Sequence, residues 1–375
     1  MENKVHFHNL DVLRFICAIA VAFAHGYEAY FGWIGTPSFL NRFPALKPLL
    51  DVFMGNMALG VNMFFVISGF LITYLLLVEK TRFSNIHIGK FIVRRSLRIW
   101  PLYYFAILFG FILVKFSNMP HPDLWPNLLF WNNFHAIQTM QWQYPFAHFW
   151  SICVEEHFYL VWPFIIYVLP VKRVLPVCIA LIALSISFRY FIPGLIEKEK
   201  VQFTLYLHTL SRVDEILVGA VLACWHFRRP IVVKIHVAVR VLIYAAFIVF
   251  LFLQPQSDFW IWGIWSVLFK KYIYLAVIAF WLINYLFNPG AFFNFKHKNV
   301  LHYLGKISFG IYIYHNIILP VYITHFVYRY QVTNMPLYFT FYIVFLILIS
   351  IISFELYEKH FLKLKDKFAL IKTQR

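Results

Sequence analysis

The sequence predicts an all-α protein, a polytopic bundle of about ten transmembrane helices with both termini in the cytoplasm. Hydrophobic residues make up 62% of the 375 residues and charged residues only 13%. Soluble domains are about half apolar and about a quarter charged, so much of this apolar surface must face lipid. Apolar segments of about 20 residues, the length that crosses a bilayer, recur along the chain. Basic residues alternate between the connections, as the positive-inside rule requires.

The apolar segments define ten predicted membrane spans. The eighth is the least regular, because Lys270 and Lys271 interrupt it and residues 260–269 could instead lie along the membrane interface. The first could be mistaken for a signal peptide, but it carries Arg14 and His25 and further spans follow it. We therefore expect it in the mature protein. The predicted spans are 10–30, 55–78, 99–117, 148–170, 174–193, 203–226, 236–254, 267–287, 303–327 and 337–357.

The orientation of the spans follows from the basic residues in their connections. The connection 79–98 carries six lysines and arginines, whereas 118–147 carries none. We therefore place 79–98 in the cytoplasm and 118–147 outside, which puts both termini in the cytoplasm. The same alternation continues at the later turns Lys172–Arg173, Arg228–Arg229 and Lys296–Lys298.

The composition also bounds the domain organisation and the classes of function. We expect one transmembrane domain over residues 1–358, a basic cytoplasmic tail over 359–375 and no appended soluble domain. The net charge of +17 belongs to basic cytoplasmic loops in such a protein, so nucleic-acid binding is not expected. The four cysteines lie in apolar segments and have neither zinc-site nor disulfide spacing, so we expect no metal.

Ionisable residues inside spans are costly and commonly face a cavity or a partner, which makes them candidates for function. Arg14 and His25 stand 11 residues apart in the first span, so they share one helix face. They are separated by about 16 Å along the axis. Histidine titrates near neutrality and suits a general base, while an arginine suits an anionic substrate. The structural alternative is a hydrogen-bonded core histidine and an arginine that snorkels to the interface.

Two further groups of polar residues share helix faces. Ser151, Glu155 and Tyr159 recur every four residues in the fourth span and form one stripe. The stripe predicts a carboxylate that orients a histidine or a substrate hydroxyl, or else a structural hydrogen bond between helices. Arg95 and Arg98 lie three residues apart where the third span leaves the cytoplasm. Such a pair can bind the phosphates of a substrate or anchor the helix at lipid phosphates.

Polar residues in the later spans carry weaker signals. Arg212 and Asp214 fall in the sixth span, where they could form a structural ion pair or contact substrate. His315 lies near the middle of the ninth span, where a core histidine is the simpler interpretation. None of these residues identifies a function by itself.

Taken together and in order, these segments resemble the acyltransferase-3 family of integral membrane O-acyltransferases. The resemblance runs from LDVLR at 10–14 to the ISFGIYIYH run at 307–315. Each block is short, but five blocks in order on a compatible topology make the resemblance specific. The matched blocks are Arg14 with His25; SGFLI from Ser68 to Ile72, preceded by GVNMFFVI; the paired Arg95 and Arg98; Trp150, Ser151, Glu155 and Tyr159; and the ISFGIYIYH run that ends at His315.

The chain departs from the family pattern at three places. Asn62 replaces the acid of a usual GVD block, which weakens any expectation of a carboxylate there. His157 stands where a glutamine usually follows the paired glutamates, and residues 358–360 read Glu-Lys-His rather than Glu-Lys-Pro. None of these departures affects Arg14 or His25.

The resemblance implies a stand-alone, multi-pass enzyme of the bacterial inner membrane. Such an enzyme moves an acyl group, typically acetyl, from acetyl-CoA to a hydroxyl of a cell-surface or lipid-linked glycan. His25 would be the general base, and Arg95 and Arg98 would bind the donor. Arg14 would hold the anionic part of the donor or stabilise developing charge, and Glu155 would orient His25 or an acceptor hydroxyl. The alternative is a membrane transporter of a glycan, lipid or acyl donor, because intramembrane ionisable residues suit transport equally well.

Overall fold

The structure is a computed structural model that describes residues 4–5, 7, 10–116, 120–231, 235–253, 259–288, 291 and 299–373. Helices dominate these residues, which confirms the predicted all-α class. The predicted basic turn at Lys296–Lys298 lies outside the described residues. Two two-residue strands, β1 (Lys4–Val5) and β2 (Lys372–Thr373), pair in parallel.

Eighteen α-helices form the described part of the chain. Two 3₁₀ turns (Ala147–Phe149 and Ile192–Gly194) and two π-helical segments (Tyr322–Val327 and Phe354–Glu358) adjoin them. In chain order the helices are α1 (Leu10–Trp33), α2 (Ser38–Arg42), α3 (Leu46–Met57), α4 (Gly60–Arg82), α5 (Ile88–Val114), α6 (Leu124–Leu128), α7 (Asn132–Thr139), α8 (Trp150–Val168), α9 (Val171–Phe191), α10 (Lys198–Leu207), α11 (Thr209–Arg228), α12 (Val237–Leu253), α13 (Phe259–Phe287), α14 (Val300–Lys306), α15 (Ser308–Val321), α16 (Tyr328–Tyr330), α17 (Met335–Ser353) and α18 (Lys359–Asp366).

The helices give the chain several membrane spans. Within the described residues, six helical stretches are long and apolar enough to cross a bilayer, and the bent pair of α14 and α15 can make a seventh. The protein is therefore a multi-pass membrane protein, as predicted. Each predicted span overlaps helical structure, but three of them are divided between two helices: 55–78 between α3 and α4, 203–226 between α10 and α11, and 303–327 between α14 and α15. The total of ten spans and the cytoplasmic position of both termini remain predictions.

Hydrogen bonds between helix ends show which connections lie at the same end of the bundle. The ammonium group of Lys80, near the end of α4, donates to carbonyl oxygens of Ile166 and Leu169 at the end of α8, at 2.6 and 2.8 Å. Arg228, at the end of α11, donates to the carbonyl of Lys172 at the start of α9. The basic connections therefore meet at one end of the bundle, as the alternation of charge predicts. We call this the basic end.

Helices α4 and α11 pack so closely that glycine is required at their crossing. A Cβ atom at Gly69 would clash with the carbonyl oxygen of Ile216, and one at Gly219 would clash with that of Val66. Small residues allow membrane helices to approach at backbone distance, where van der Waals packing holds them together. Gly69 belongs to the SGFLI block, so this contact gives the block a structural reason. Its neighbour Ser68 lines the cavity described below.

Helix α1 lies against the bend between α14 and α15. The two helices meet at 64°, and Gly305 at the end of α14 lies against the backbone of Asp11. The bend directs α15 along α1, which brings Tyr312 and His315 towards the middle of the bundle. The tail also packs on the bundle, because Arg94 donates to the carbonyl of Phe368 at 3.1 Å.

Candidate active site

A cavity opens between α1, α4, α5, α8 and α15, with about 720 Å³ of empty space when the solvent-filled space at its mouth is included. Seven of the residues that the sequence singles out line it, although they come from four different helices. The first turns of α15 add three further residues to the lining of the cavity. The predicted residues are Arg14, Ser68, Arg95, Arg98, Ser151, Glu155 and Tyr159, and the residues from α15 are Ser308, Phe309 and Tyr312.

The local helix geometry explains why these side chains point into one space. Ser151, Glu155 and Tyr159 form one stripe along α8 because they recur every four residues, as predicted. The hydroxyl groups of Ser68 and Tyr159 hydrogen bond to each other, which joins α4 to α8. The Glu155 carboxyl lies within hydrogen-bonding reach of both hydroxyls. The stripe is therefore an inter-helix hydrogen-bond network and a cavity wall at the same time.

The cavity carries more positive than negative charge. Arg14, Arg95 and Arg98 line it together with one carboxyl group, that of Glu155. The guanidinium of Arg14 also pairs with Asp11 at 3.4 Å, one turn earlier on α1. Three arginines around a partly enclosed space favour an anionic ligand, because guanidinium groups bind phosphate and carboxylate through paired, charge-assisted hydrogen bonds.

The guanidinium of Arg95 is held in place by aromatic rings. It lies 5.7 Å from the ring centre of Phe91 on its own helix and 5.7 Å from that of Tyr159 on α8. Cation–π contacts of this kind stabilise a partly desolvated guanidinium without consuming its hydrogen-bond donors. The N–H groups of Arg95 can therefore still bind a ligand in the cavity.

Three histidines form a cluster deeper in the bundle. Nδ1 of His25 lies 3.2 Å from Nε2 of His315, which joins α1 to α15. The rings of His148 and His315 lie 4.6 Å apart, centre to centre. His148 and His315 are buried, whereas His25 is partly exposed. His25 therefore has one side against a buried imidazole and another that a substrate can reach.

The backbone partners of the cluster determine which ring nitrogen carries each proton. A carbonyl oxygen can only accept, so Nδ1 of His315, which lies against the carbonyl of Tyr312, must carry a proton. In the neutral ring, Nε2 of His315 is then an acceptor. Nδ1 of His25 must donate, because it lies 3.1 Å from the carbonyl of Val21 as well as near His315. This leaves Nε2 of His25 with a free lone pair, the arrangement that a general base needs.

A layer of two polar side chains separates the arginine cavity from the histidine cluster. Tyr312 and Ser151 both line the cavity, and their hydroxyl groups hydrogen bond to each other. The same hydroxyls lie 3.3 and 3.1 Å from the carbonyl oxygen of His148. His25 and Arg14 are therefore at different levels of the bundle, which agrees with their predicted separation along α1.

The structure brings in residues that the sequence analysis did not select. His148 and Tyr312 connect the cavity to His25, but neither was a candidate. Histidine is rare within membrane spans, and His148 opens the predicted fourth span, so the rule that selected His25 could also have selected it. Tyr312 carries no comparable signal, because tyrosine is common in membrane helices and 23 are present here.

Two predicted pairings are wrong. Arg212 and Asp214 do not pair with each other in the described structure: Arg212 pairs with Glu215 at 3.1 Å, and Asp214 pairs with Lys271 at 2.9 Å and with Arg189. Residues 212 and 214 are two apart in α11 and point away from each other.

The second wrong pairing concerns Glu155. It was one candidate to orient His25, but the structure gives it Ser68 and Tyr159 as partners and gives His25 the ring of His315. The reason is distance along the bundle. Glu155 faces the arginine cavity, whereas His25 lies beyond the layer formed by Ser151 and Tyr312.

Comparison with known proteins is consistent with this arrangement. A family model described as an acyltransferase domain matches residues 7–355. The peptidoglycan O-acetyltransferase OatA of Listeria monocytogenes is 27% identical over 291 residues, which cover 68% of this chain and 44% of that protein. The O-acetyltransferase OatA of Staphylococcus aureus is 28% identical over 296 residues, 68% of this chain and 45% of that protein. No solved structure shows significant similarity to the chain.

A third relative is the putative peptidoglycan O-acetyltransferase YrhL of Bacillus subtilis, which is 26% identical over 283 residues. That match covers 68% of this chain and 43% of the relative. The chain therefore spans less than half the length of the curated relatives it matches. The family model covers nearly the whole chain, and the matched residues include those that line the cavity and the pair of His25 and His315. The chain belongs to the acyltransferase-3 family of membrane proteins.

Proposed function

We propose that this protein is a membrane O-acyltransferase of the bacterial inner membrane. It transfers an acyl group, which we take to be acetyl, from acetyl-CoA to a hydroxyl of a cell-surface or lipid-linked glycan. The observation that carries the proposal is the hydrogen-bonded pair of His25 and His315 beyond a cavity lined by three arginines. The names of the relatives, which are O-acetyltransferases of peptidoglycan, support a sugar acceptor.

The donor enters from the basic end. Its phosphates bind Arg95 and Arg98, and Arg14 neutralises the remaining negative charge. The long pantetheine arm then carries the thioester past Tyr312 and Ser151 towards His25. This assignment uses the three arginines as a phosphate site, for which forked guanidinium groups are well suited.

The chemical step begins when Nε2 of His25 takes the proton of the acceptor hydroxyl. The hydroxyl oxygen forms a bond to the thioester carbonyl carbon, and the carbon–sulfur bond breaks as the tetrahedral intermediate collapses. The leaving thiolate takes the proton back from Nε2 of His25. The products are an O-acyl ester and CoA with a free thiol. His315 acts as a positioning residue, because its Nε2 accepts from Nδ1 of His25 and stabilises the imidazolium that forms.

Replacing His315 tests this positioning role. We expect His315→Ala to lower kcat about 10–100-fold, since a lost hydrogen bond to a charged partner costs about 1.5–3 kcal/mol. The donor and acceptor KM should not change. His315→Gln should restore much of the rate, because the amide oxygen can accept from Nδ1 of His25. If both variants fall equally in abundance and the remaining protein turns over normally, His315 is a core histidine.

Replacing the cavity arginines tests the donor site. We expect Arg95→Ala with Arg98→Ala to raise the KM for acetyl-CoA about 10²–10⁴-fold, because each of the two charge-assisted contacts contributes about 1.5–3 kcal/mol. The matched control is Lys90→Ala, an exposed cation on the same helix. Steady-state transfer assays at varied acetyl-CoA concentration give the donor KM of the double variant and of the control. A fall in membrane abundance with an unchanged donor KM would make the pair a membrane anchor.

Purified protein in liposomes separates the enzyme from the transporter. With radiolabelled acetyl-CoA and an oligosaccharide acceptor, an enzyme gives a product heavier than the acceptor by one acyl group. A transporter moves donor or acceptor across the bilayer and leaves both masses unchanged. Transport without product would overturn the proposed function.

A further inference from the structure

Three aromatic side chains lie exposed at the end of the bundle opposite the basic end. Trp142 and Tyr144 lie in the connection after α7, and Tyr206 lies near the end of α10. Their side chains are 37%, 44% and 43% exposed, respectively. The ring of Trp142 lies 6.1 Å from that of Tyr206 and 5.3 Å from that of Phe203, centre to centre. We call Trp142, Tyr144 and Tyr206 the aromatic ledge.

A fixed cation supports the ledge from behind. The guanidinium of Arg212 lies 5.2 Å from the ring centre of Tyr206 and 5.1 Å from that of Trp150. Glu215 pairs with the same guanidinium at 3.1 Å and holds it in place. The Trp150 and Tyr206 rings are themselves 5.1 Å apart. Tyr206 is therefore held in a set position rather than free to turn, and Arg212 has a role that its predicted pairing with Asp214 does not explain.

An exposed carboxylate interacts electrostatically with the ledge and lies on the same helix as His25. Glu28 is exposed on α1 and is an electrostatic neighbour of both Tyr144 and Tyr206. It follows His25 by three residues, so the two side chains lie on neighbouring positions of one helix face. The ledge is also tied to the histidine pair by a direct contact: Asn316, the residue after His315, donates to the carbonyl oxygen of Pro145, the residue after Tyr144, at 3.4 Å.

An aromatic belt at the membrane interface is the other arrangement that exposes tryptophan and tyrosine. Here Trp142 and Tyr144 belong to a connection. Tyr206 falls within the predicted sixth span, but the structure places it on the short helix α10, which is separated from α11 at His208. The side chain of Asn133 holds α10 against α7 by donating to the carbonyl of Leu207 at 3.2 Å. A carboxylate that interacts with the group would repel anionic lipid head groups, whereas it can accept hydrogen bonds from hydroxyl groups.

We propose that the aromatic ledge and Glu28 form the acceptor subsite and bind a glycan chain of uncharged pyranose rings. The apolar C–H faces of sugar rings pack on flat aromatic faces, and Glu28 accepts hydrogen bonds from ring hydroxyls. A sugar bound there presents a further hydroxyl to Nε2 of His25. The inference rests on the proposed function, because it assigns the substrate of the same reaction. It also predicts that added negative charge on the sugar weakens binding.

The test is a binding measurement that needs no turnover. The probe is the β-1,4-linked tetramer of N-acetylglucosamine, added to the full-length protein in nanodiscs and followed by saturation-transfer NMR. We expect Trp142→Ala and Tyr206→Ala to raise its Kd about three- to tenfold each, in line with the contribution of an aromatic contact. Glu28→Gln is a further test, because Glu28 is exposed and its replacement removes a charge without disturbing the packing of the bundle. The matched control is Trp131→Ala, an exposed tryptophan of the same outer connection.

The outcomes separate the subsite from the reaction. If Trp142→Ala, Tyr206→Ala and Glu28→Gln bind the tetramer as the control does, the ledge is a membrane belt and the inference is overturned. If the tetramer binds at the ledge but no acyl-CoA yields a product, the proposed function fails and the subsite stands. If product forms and Trp142→Ala leaves the acceptor KM unchanged, the function stands and the subsite fails. Tighter binding of a carboxylated sugar than of the tetramer would contradict the preference for uncharged rings.

Discussion

Replacing His25 with alanine is expected to abolish acyl transfer while the protein still inserts and folds. A positioned base contributes about 10²–10⁴-fold to such a step, because a neutral hydroxyl is a poor nucleophile. The side chain is partly exposed and joins the bundle through one contact to His315 and one to its own helix. Its loss should therefore cost activity far more than stability. Mass spectrometry of surface glycans from a deletion strain, complemented with each variant, measures the loss.

The matched control is His325→Ala, because His325 is an exposed histidine in the π-helical segment after α15. Glycans from that strain should carry the same acyl mass as those from the wild type. Membrane abundance of each variant is measured by immunoblot. Normal acylation by an equally abundant His25→Ala protein would remove His25 from the role of base.

The second large effect is expected at Asp214, and it concerns stability. Asp214 and Arg189 are buried, and Lys271 completes the group at 2.9 Å from Asp214. Removing the carboxylate leaves the buried Arg189 without its anionic partner in a low-dielectric interior, whereas Lys271 keeps Glu215 at 2.8 Å. Breaking a buried ion pair in this way costs about 3–5 kcal/mol. We therefore expect Asp214→Ala to lower the thermal unfolding midpoint of the detergent-solubilised protein sharply.

Glu197→Ala provides the comparison. Glu197 pairs with Lys200 at 2.9 Å, but both side chains are exposed, so the pair contributes at most about 1 kcal/mol and the midpoint should hardly change. If Asp214→Ala unfolds at the wild-type temperature but transfers no acyl group, Asp214 belongs to the reaction rather than to the architecture.

Periodicity along single helices explains how much of the site was predictable. The sequence placed Ser151, Glu155 and Tyr159 on one face and Arg95 with Arg98 on another, and the structure shows both sets lining one cavity. These predictions hold because the helical period is fixed by backbone hydrogen bonds, whatever the rest of the chain does.

Pairings between helices were not predictable in the same way. The sequence suggested that Arg212 pairs with Asp214 and that Glu155 can orient His25, and both are wrong. The observed partners of Asp214 come from α9 and α13, as far as 58 residues away. Which helices become neighbours depends on packing, such as the glycine contact between α4 and α11, and a list of spans does not contain that information.

The sequence by itself determined the membrane class, the positions of the helices, the family and the arginine face of the cavity. The membrane class and the helix positions follow from composition and hydrophobic length, which the thickness of the bilayer constrains. The family and the arginine face follow from residue spacing within single helices. Only the tertiary structure decided that His25 meets His315, a contact between residues 290 apart in the sequence. The bend between α14 and α15 makes that contact, because it turns α15 along α1 and delivers the second imidazole to the first.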